Sequence, residues 1–431
     1  MNKAQTPSGE APLKRNGVQV FVEEVTAGPP KHITGWRRIG RTLLIPVLAI
    51  FSGLVMGGVF IILTSPQVYV AFSESFLAGL QASWAAVRDA YVALFTGAFG
   101  SPARMIEALQ SGDPLAIRRA FNPFLESLVA ATPYIFAGLS VAFAFQAGLF
   151  NIGAEGQLFM GAIFAAYAGY ALTGLPAIIH IPLAILAGAL GGAIWGFIPG
   201  WLKAKTGGHE VINTIMLNYI AFRLSDWLLR GPMKRPDSFN PVSPTIQTTA
   251  MLPRFFQDPI RFHLGFFIAL GVAWLVWWFL YKSRWGFDHR AVGANPHASH
   301  YAGMNIVRSI ILAMTLAGAL SGLAGTNEVL GVNHNLAMAF SSGYGFDSIA
   351  LALLGRSHPL GVVLAALLFG FLRNGATRMQ LVAGIPIDII SIIQAFILAF
   401  IAAPAIIRTI YRLRAPEAGE ETTLATGWGG D

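Results

Sequence analysis

The chain has 431 residues, of which 55% are hydrophobic and 12% charged, about half the roughly 25% charged share of a soluble domain. That composition excludes a water-soluble globular protein. Cysteine is absent, which removes disulfide frameworks, Cys-ligated metals and thiol nucleophiles. The 29 Lys and Arg against 21 Asp and Glu leave a net charge of +8, which in a membrane chain reads as basic residues retained on the cytoplasmic side rather than as a nucleic-acid surface.

Residues 1–40 form a polar stretch with no apolar signal-peptide core, read as a disordered cytoplasmic tail. Lys31, Arg37, Arg38 and Arg41 then precede the first apolar run, Thr42–Leu63, and place the N-terminus inside. Between 65 and 126, charges such as Arg88, Asp89, Arg118 and Arg119 are scattered among aromatics, predicting short amphipathic helices outside or on the membrane. Apolar runs at Leu128–Ala147, Leu158–Leu172, Ala177–Leu202 and Val211–Leu229 are spans two to five. The stretch 231–262, with six prolines, is an external loop before a sixth span at Leu264–Tyr281. Residues 282–305, opened by Lys282 and Arg284, are a cytoplasmic segment. A seventh span runs from Ile306 to near Ala324, and an irregular piece, Gly325–Gly345, interrupts an eighth that ends with Phe346–Leu354. Leu360–Leu372 and Ile387–Ile407 complete ten, and 411–431 is a second cytoplasmic tail. The expected fold is thus an all-α integral membrane protein, with a membrane domain over 41–410, about ten transmembrane helices, broken helices and a candidate internal repeat. Arg373 and Arg378 fall outside in this scheme, against the charge rule.

Four features carry information beyond topology. Gly188, Gly192, Gly196 and Gly200 recur every four residues and line one helix face, a strip along which membrane helices pack closely; Gly318 and Gly322 repeat the spacing. The polar run Asn151-Ile-Gly-Ala-Glu155-Gly-Gln157 breaks the apolar pattern, either as a site beside a cavity or as a tight turn. An ionised Glu155 in hydrocarbon would cost at least ~2.5 kcal/mol. A second break holds Asn333, Asn335, Ser341, Ser342, Tyr344 and Asp347, side chains suited either to a polar ligand or to loop capping. Third, Gly207-Gly-His-Glu210 with Asn213, Thr214, Asn218 and Tyr219 concentrates polarity at the start of span five. Finally, no Gly-Lys dipeptide occurs, so no P-loop of the usual form is present, and the metalloprotease, Gly-x-Ser-x-Gly and dinucleotide motifs are missing too. The His297 and His300 pair has metal-ligand spacing but reads as surface polar residues. The chain is expected to carry no enzyme activity, metal or cofactor of its own.

Four blocks carry a resemblance: Gly148–Gln157, Gly208–Ile220, Ala291–Asn305 and Phe346–Gly355. Together they resemble bacterial ABC importer permeases of the nucleoside and simple-sugar group, and more distantly those for ribose and branched-chain amino acids. The likeness spans roughly Leu128 to Arg408. It implies a multi-pass plasma (inner) membrane subunit with both termini cytoplasmic, paired with a second permease subunit and ATP-binding cassette ATPase subunits. An extracytoplasmic solute-binding protein would deliver nucleosides or simple sugars; membrane lipid surrounds the chain, and no nucleic acid is bound. Its coupling helix would match Ala291, Val292, Gly293, Asn295, Pro296, Tyr301 and Gly303, although His297, His300 and Ala294 depart from the charged residues common there. The substrate path is expected along Asn151, Glu155, Gln157, Asn333, Asn335, Ser341, Tyr344 and Asp347. Phe143, Phe145, Phe159 and Tyr344 are the nearby aromatics for a nucleobase. The alternatives are a branched-chain amino-acid permease and an ion-coupled secondary transporter working through Glu155 or Asp347.

Overall fold

A computed structural model describes residues 35–413, with side chains from Leu44 onward. Most of the two expected tails, and Lys31 of the basic cluster, lie outside these residues. Residues 1–47 form one unit, of which only the opening turns of the first helix are described. Residues 48–431 form the other and hold every feature discussed below except the start of the first helix.

The described chain is helical, with two isolated bridges, Val242↔Ala337 and Arg254↔His263, in place of strands. In order the helices are α1 (Gly35–Thr64), α2 (Pro66–Glu74), α3 (Phe76–Phe99), α4 (Pro102–Ser111), α5 (Pro114–Gln146), α6 (Ala154–Ala171), α7 (Ala177–Thr206) and α8 (Glu210–Arg230). After a long loop come α9 (Gly265–Lys282), α10 (Arg284–Ala294), α11 (Pro296–Tyr301), α12 (Ile306–Asn327), α13 (Tyr344–Leu354), α14 (Pro359–Ala383), α15 (Asp388–Ala402) and α16 (Pro404–Ile410). Helix starts obey ordinary rules: Pro66, Pro102, Pro114, Pro296, Pro359 and Pro404 open helices, where a missing N–H costs nothing. Asp113 caps α5 through the Leu115 and Ala116 amides, and Asn305 caps α12 through Arg308.

Six described helices are long and apolar enough to cross a membrane: α1 from Leu44, α5, α7, α9, α12 with the π turn Glu328–Asn333, and α14. The pair α15 and α16 qualifies only together, bent by 91°. The chain is therefore a multi-pass membrane protein. Several elements are longer than their apolar runs. Helix α5 begins at Pro114 rather than Leu128. Helix α14 continues through Arg373 and Arg378 to Ala383, so both arginines are helical rather than in a loop. The reason is packing: Asn374 donates to the carbonyls of Gly97 and Pro123 and to Ser127, tying α14 to α3 and α5. In place of short helices alone, residues 65–126 hold the 24-residue α3, which lies along α14 with Leu94 against Gly375 and Gly97 against Arg378.

Two buried clusters organise the fold. One joins α1, α3, α14 and α15 around Ile61, Leu94, Met379 and Ile393. The larger is built on α5 to α9 and α12 to α14, and its centre is made of glycine. A Cβ on Gly192 would fall on the Gly318 carbonyl, one on Gly161 on the Gly322 backbone, and one on Gly196 on the Met314 carbonyl. Helices α6, α7 and α12 thus meet backbone to backbone, the geometry that lets membrane helices pack through dispersion alone. Gly188 sits against Thr326 and Gly200 against Met314, so all four glycines of the α7 strip face α12 or the residues beside it.

Gly192→Ala forces the α7 and α12 backbones apart and is expected to destabilise the purified protein by about 1–3 kcal/mol. Gly271→Ala, on α9 with open space around it, is expected to be neutral or to raise stability by about 0.5–1 kcal/mol. Thermal unfolding in detergent distinguishes the two; equal shifts would contradict this packing.

Candidate functional site

Helix α5 ends at Gln146 and α6 begins at Ala154, and the break between them is held from four directions. Asn151, fully buried, forms a reciprocal amide pair with Gln157, donating at 2.9 Å and accepting at 3.1 Å, and reaches Ser140 on α5. Asn218 on α8 accepts from the Gly156 amide at 2.8 Å and donates to the Ile152 carbonyl at 3.0 Å. Ser321 on α12 donates to the Ala154 carbonyl at 2.5 Å. These bonds satisfy the amides and carbonyls that a helix break exposes, which hydrocarbon could not do.

The fourth hold is Glu155. It is 3% exposed and accepts from the Gly345 amide at 2.6 Å, with the Ser341 side chain and Phe346 amide also acting on the carboxylate. Gly345 lies in the first turn of α13, and a Cβ there would strike the backbone of Ala154 and Glu155. The N-termini of α6 and α13 therefore abut, and two positive helix ends share one buried carboxylate.

Around this junction lies a polar and aromatic wall. Tyr134, fully buried on α5, donates to Asp347 at 3.0 Å and meets the Tyr344 ring edge-on at 4.9 Å. Arg373 on α14 interacts electrostatically with Tyr134, Tyr344 and Asp347. Phe159 packs on Phe222 of α8 and on Phe340, each at 4.8 Å. Asn333 donates to Glu328 at 3.4 Å within the π turn, and Glu126 pairs with Arg261 at the same end of the bundle. Asn335 stands apart, on a segment bonded to the loop 231–262 through His334 with Ile246 and Leu336 with Ser243.

Of the eight path residues named from sequence, the structure therefore gathers Glu155, Ser341, Tyr344 and Asp347 at the α6–α13 junction. Asn151 and Gln157 brace that junction from behind. The expected aromatics divide: Phe159 and Tyr344 belong to the wall, Phe145 packs on Phe150, and Phe143 faces His289. Tyr134, Ser321, Phe222 and Phe340 had no sequence signal, since single aromatics and serines are common in apolar helices. Arg373 had one, an arginine in conflict with the charge rule.

The segment 282–305 folds as α10 and α11 on the end of α5. Gly293 packs on the Gln146 and Ala147 backbone, and Val292 is buried. His289, 4% exposed, bonds the Phe143 carbonyl at 2.8 Å. That carbonyl is an orphan, because the Ala147 amide turns to Ala144 and Phe145 instead. Asn295 caps α11 through the Ala298 amide at 3.0 Å, Pro296 opens it, and Ala291 accepts from the Asn295 amide. Beyond Val292 the surface is open: His297, His300 and Gly303 are exposed, and Tyr301 is 93% exposed. Among the described residues no group of three His, Asp or Glu is arranged to hold a metal.

Residues 124–402 match a family model described as branched-chain amino acid transport system / permease component. The chain is 39% identical over 371 residues, 85% of its length and 95% of the relative, to a guanosine ABC transporter permease protein of Bacillus subtilis (strain 168). It is 33% identical to a nucleoside ABC transporter permease protein of Lactococcus lactis subsp. cremoris, over 89% of this chain and 97% of the relative. Identity is 32% to a glucose ABC transporter permease protein of Haloferax volcanii, covering 88% and 90% respectively. No solved structure matches significantly.

Asn151→Ala strands the Gln157 amide and is expected to cost about 1–3 kcal/mol of stability, read by thermal unfolding; no change would mean water already serves the break. Burial, reinforced by Arg290, holds His289 at about 4, below its ordinary 6.5 despite the Phe143 bond, and burial with Arg254 nearby does the same to His263. A depressed imidazole contributes stability above pH 6.5 that is lost as pH falls through 6.5 toward 4. The unfolding midpoint is therefore expected to drop across that window, and less steeply in His289→Gln. An unaltered pH profile in that variant would contradict the assignment.

Proposed function

This chain belongs to the branched-chain amino acid transport system permease family, the membrane components of ABC transporters, and on that premise we propose that it is the transmembrane subunit of an ATP-driven nucleoside importer. The observation that carries the reading is the placement of α11. A short helix exposed on nearly every side is mounted on α10, which itself caps the last turn of α5 directly before the buried break. An ATPase subunit docking on α11 would push on α10, and α10 on the Phe143–Gly148 end of α5 that leads into the break holding Asn151 and Glu155. The permease needs no ATPase motif of its own; ATP-binding cassette subunits supply hydrolysis, a second permease subunit completes the membrane unit, and an extracytoplasmic binding protein delivers the solute.

Ten crossings fit this architecture: the six apolar helices, the bent α15–α16 pair, the less apolar α6 and α8, and one interrupted span that ends with the short apolar α13. An even count puts both termini in the cytoplasm of a bacterial inner membrane, on the same side as α10 and α11. The two breaks, before α6 and before α13, are the sides of an internal repeat whose N-termini meet at Glu155.

Substrate passes through without covalent chemistry. The path runs along Glu155, Ser341, Tyr344 and Asp347, with Asn333 and Asn335 nearer the external loop. Phe159, Phe222 and Phe340 offer a face on which a nucleobase stacks, and Asp347 and Ser341 offer acceptors and donors to ribose hydroxyls. The guanosine and nucleoside relatives support this choice; the glucose relative favours simple sugars as a second reading.

In proteoliposomes with the partner subunits, labelled guanosine uptake is expected to require ATP, to persist with an uncoupler, and to be competed by nucleosides more than by glucose. Competition by glucose alone would select the sugar reading. Replacing Tyr301 and His300 by Ala, which leaves the α10 contacts intact, is expected to lower ATPase recovery in a detergent pull-down at least tenfold. Full recovery would overturn the docking role.

A further inference from the structure

The outward faces of the long helices differ in chemistry. Helix α7 turns Ile179, Leu183, Leu186, Leu190, Ile194 and Phe197 outward, and α9 turns Phe267, Trp274, Leu275 and Trp278 outward. Hydrocarbon suits both. The outward stripe of α8 instead reads Ile212, Met216, Tyr219, Arg223 and Trp227, three or four residues apart and so on one face. The Arg223 side chain is 85% exposed and forms a loose ion pair with Asp226, one turn on, at 3.6 Å. A shallow groove runs beside it along Tyr219, Ile220, Leu224 and Trp227.

Neighbouring contacts fix the depth of Arg223. Trp195, well inside α7, donates to the Leu217 carbonyl of α8 at 3.2 Å, Asn218 holds the start of α6, and Phe222 packs on Phe159. Arg223 follows Phe222 directly and lies seven residues, about 10 Å, short of the end of α8 at Arg230. An arginine on a lipid-facing helix surface is unfavourable, by about 2.5–3.5 kcal/mol at the bilayer centre and by less toward the interface. The exposed Arg88–Asp89 pair on α3 differs, because it closes on itself at 2.9 Å.

We infer that the outward face of α8, centred on Arg223, is the contact surface for the second permease subunit, which presents a carboxylate at the depth of Arg223. The inference rests on the importer reading above and adds to it the surface on which the pair is built. It also brings Phe222 and its aromatic wall to the subunit boundary, so the second subunit closes the path on that side.

The absence of cysteine makes chemical mapping straightforward, but a photo-crosslinking residue avoids presuming the partner's sequence. Benzoylphenylalanine is placed at Tyr219 or Trp227, with Leu190 on α7 as control, in the importer expressed as a whole. After irradiation in membranes, mass spectrometry is expected to find permease peptides, from a second copy or a related chain, joined to positions 219 and 227, and lipid joined to 190. Arg223→Leu is expected to lower recovery of the second permease at least tenfold, and Arg223→Lys to retain most of it. Lipid adducts at 219 and 227 like those at 190, or unchanged recovery with Arg223→Leu, would overturn the inference. ATPase recovery through α11 is read in the same preparation and also reports folding. An ATPase retained with lipid adducts alone at 219 and 227 rejects the α8 surface while keeping the importer reading. Recovery of neither ATPase nor a second permease with the unsubstituted protein rejects both.

Discussion

Contact between the bare backbones of α6, α7 and α12 is the constraint on which the rest of the structure depends. Side chains at Gly161, Gly192, Gly196 and Gly322 would each separate two of these helices. In lipid there is no hydrophobic gain from association, so close approach has to supply the attraction. That approach fixes where α6 begins, and the start of α6 fixes Glu155. From Glu155 follow the seat of α13, the pairing of Asp347 with Tyr134 and the position of the aromatic wall.

The electrostatics of the junction can be judged by magnitude. A charged carboxylate in the membrane carries a cost of at least ~2.5 kcal/mol. Hydrogen bonds to a charged group contribute about 1.5–3 kcal/mol each, and Glu155 has the Gly345 amide at 2.6 Å with Ser341 and Phe346 beside it. Two helix N-termini add a favourable field. A shift of α13 that breaks the Gly345 bond removes about 1.5–3 kcal/mol of this stabilisation, which suits a site required to hold two packings of similar energy. His289 belongs to the same logic at the other end of the break, where a neutral imidazole bonds the Phe143 carbonyl that the end of α5 leaves open.

Much of this was legible in the chain, and what was not has a physical reason. The helical, membrane-embedded class followed from composition, and the polar runs at Asn151–Gln157 and Ser341–Asp347 marked the sites where helices stop and restart. Spacing alone put four glycines of α7 on one face, but which helix they meet depends on tertiary packing. Apolar runs underestimated α5 and α14, because a half-buried Asn374 with three partners can sit in a helix that hydropathy would end. Helix α3 was hidden for the related reason that Arg88 and Asp89 lower its apolar average while its other face packs on α14. The separation of Asn335 from the junction was illegible, since two asparagines two residues apart look alike until a loop pairs one segment with Ser243 and Ile246.

The shortness of α13 has a consequence for how the protein is made. Its 11 residues span roughly 16 Å of a hydrocarbon layer about 30 Å thick. A segment of that length, opening on Gly343 and carrying Asp347, gives the insertion machinery too little apolar surface to partition into lipid alone. It also emerges from the ribosome after α5 and α6, the earlier helices it packs on, and after α7 and α12, whose glycine contacts hold α6 in place. Biogenesis therefore has an order written into it: the glycine-packed helices assemble first, and α13 is accepted by protein rather than by lipid, with the free carboxylate of Glu155 as the feature that receives it.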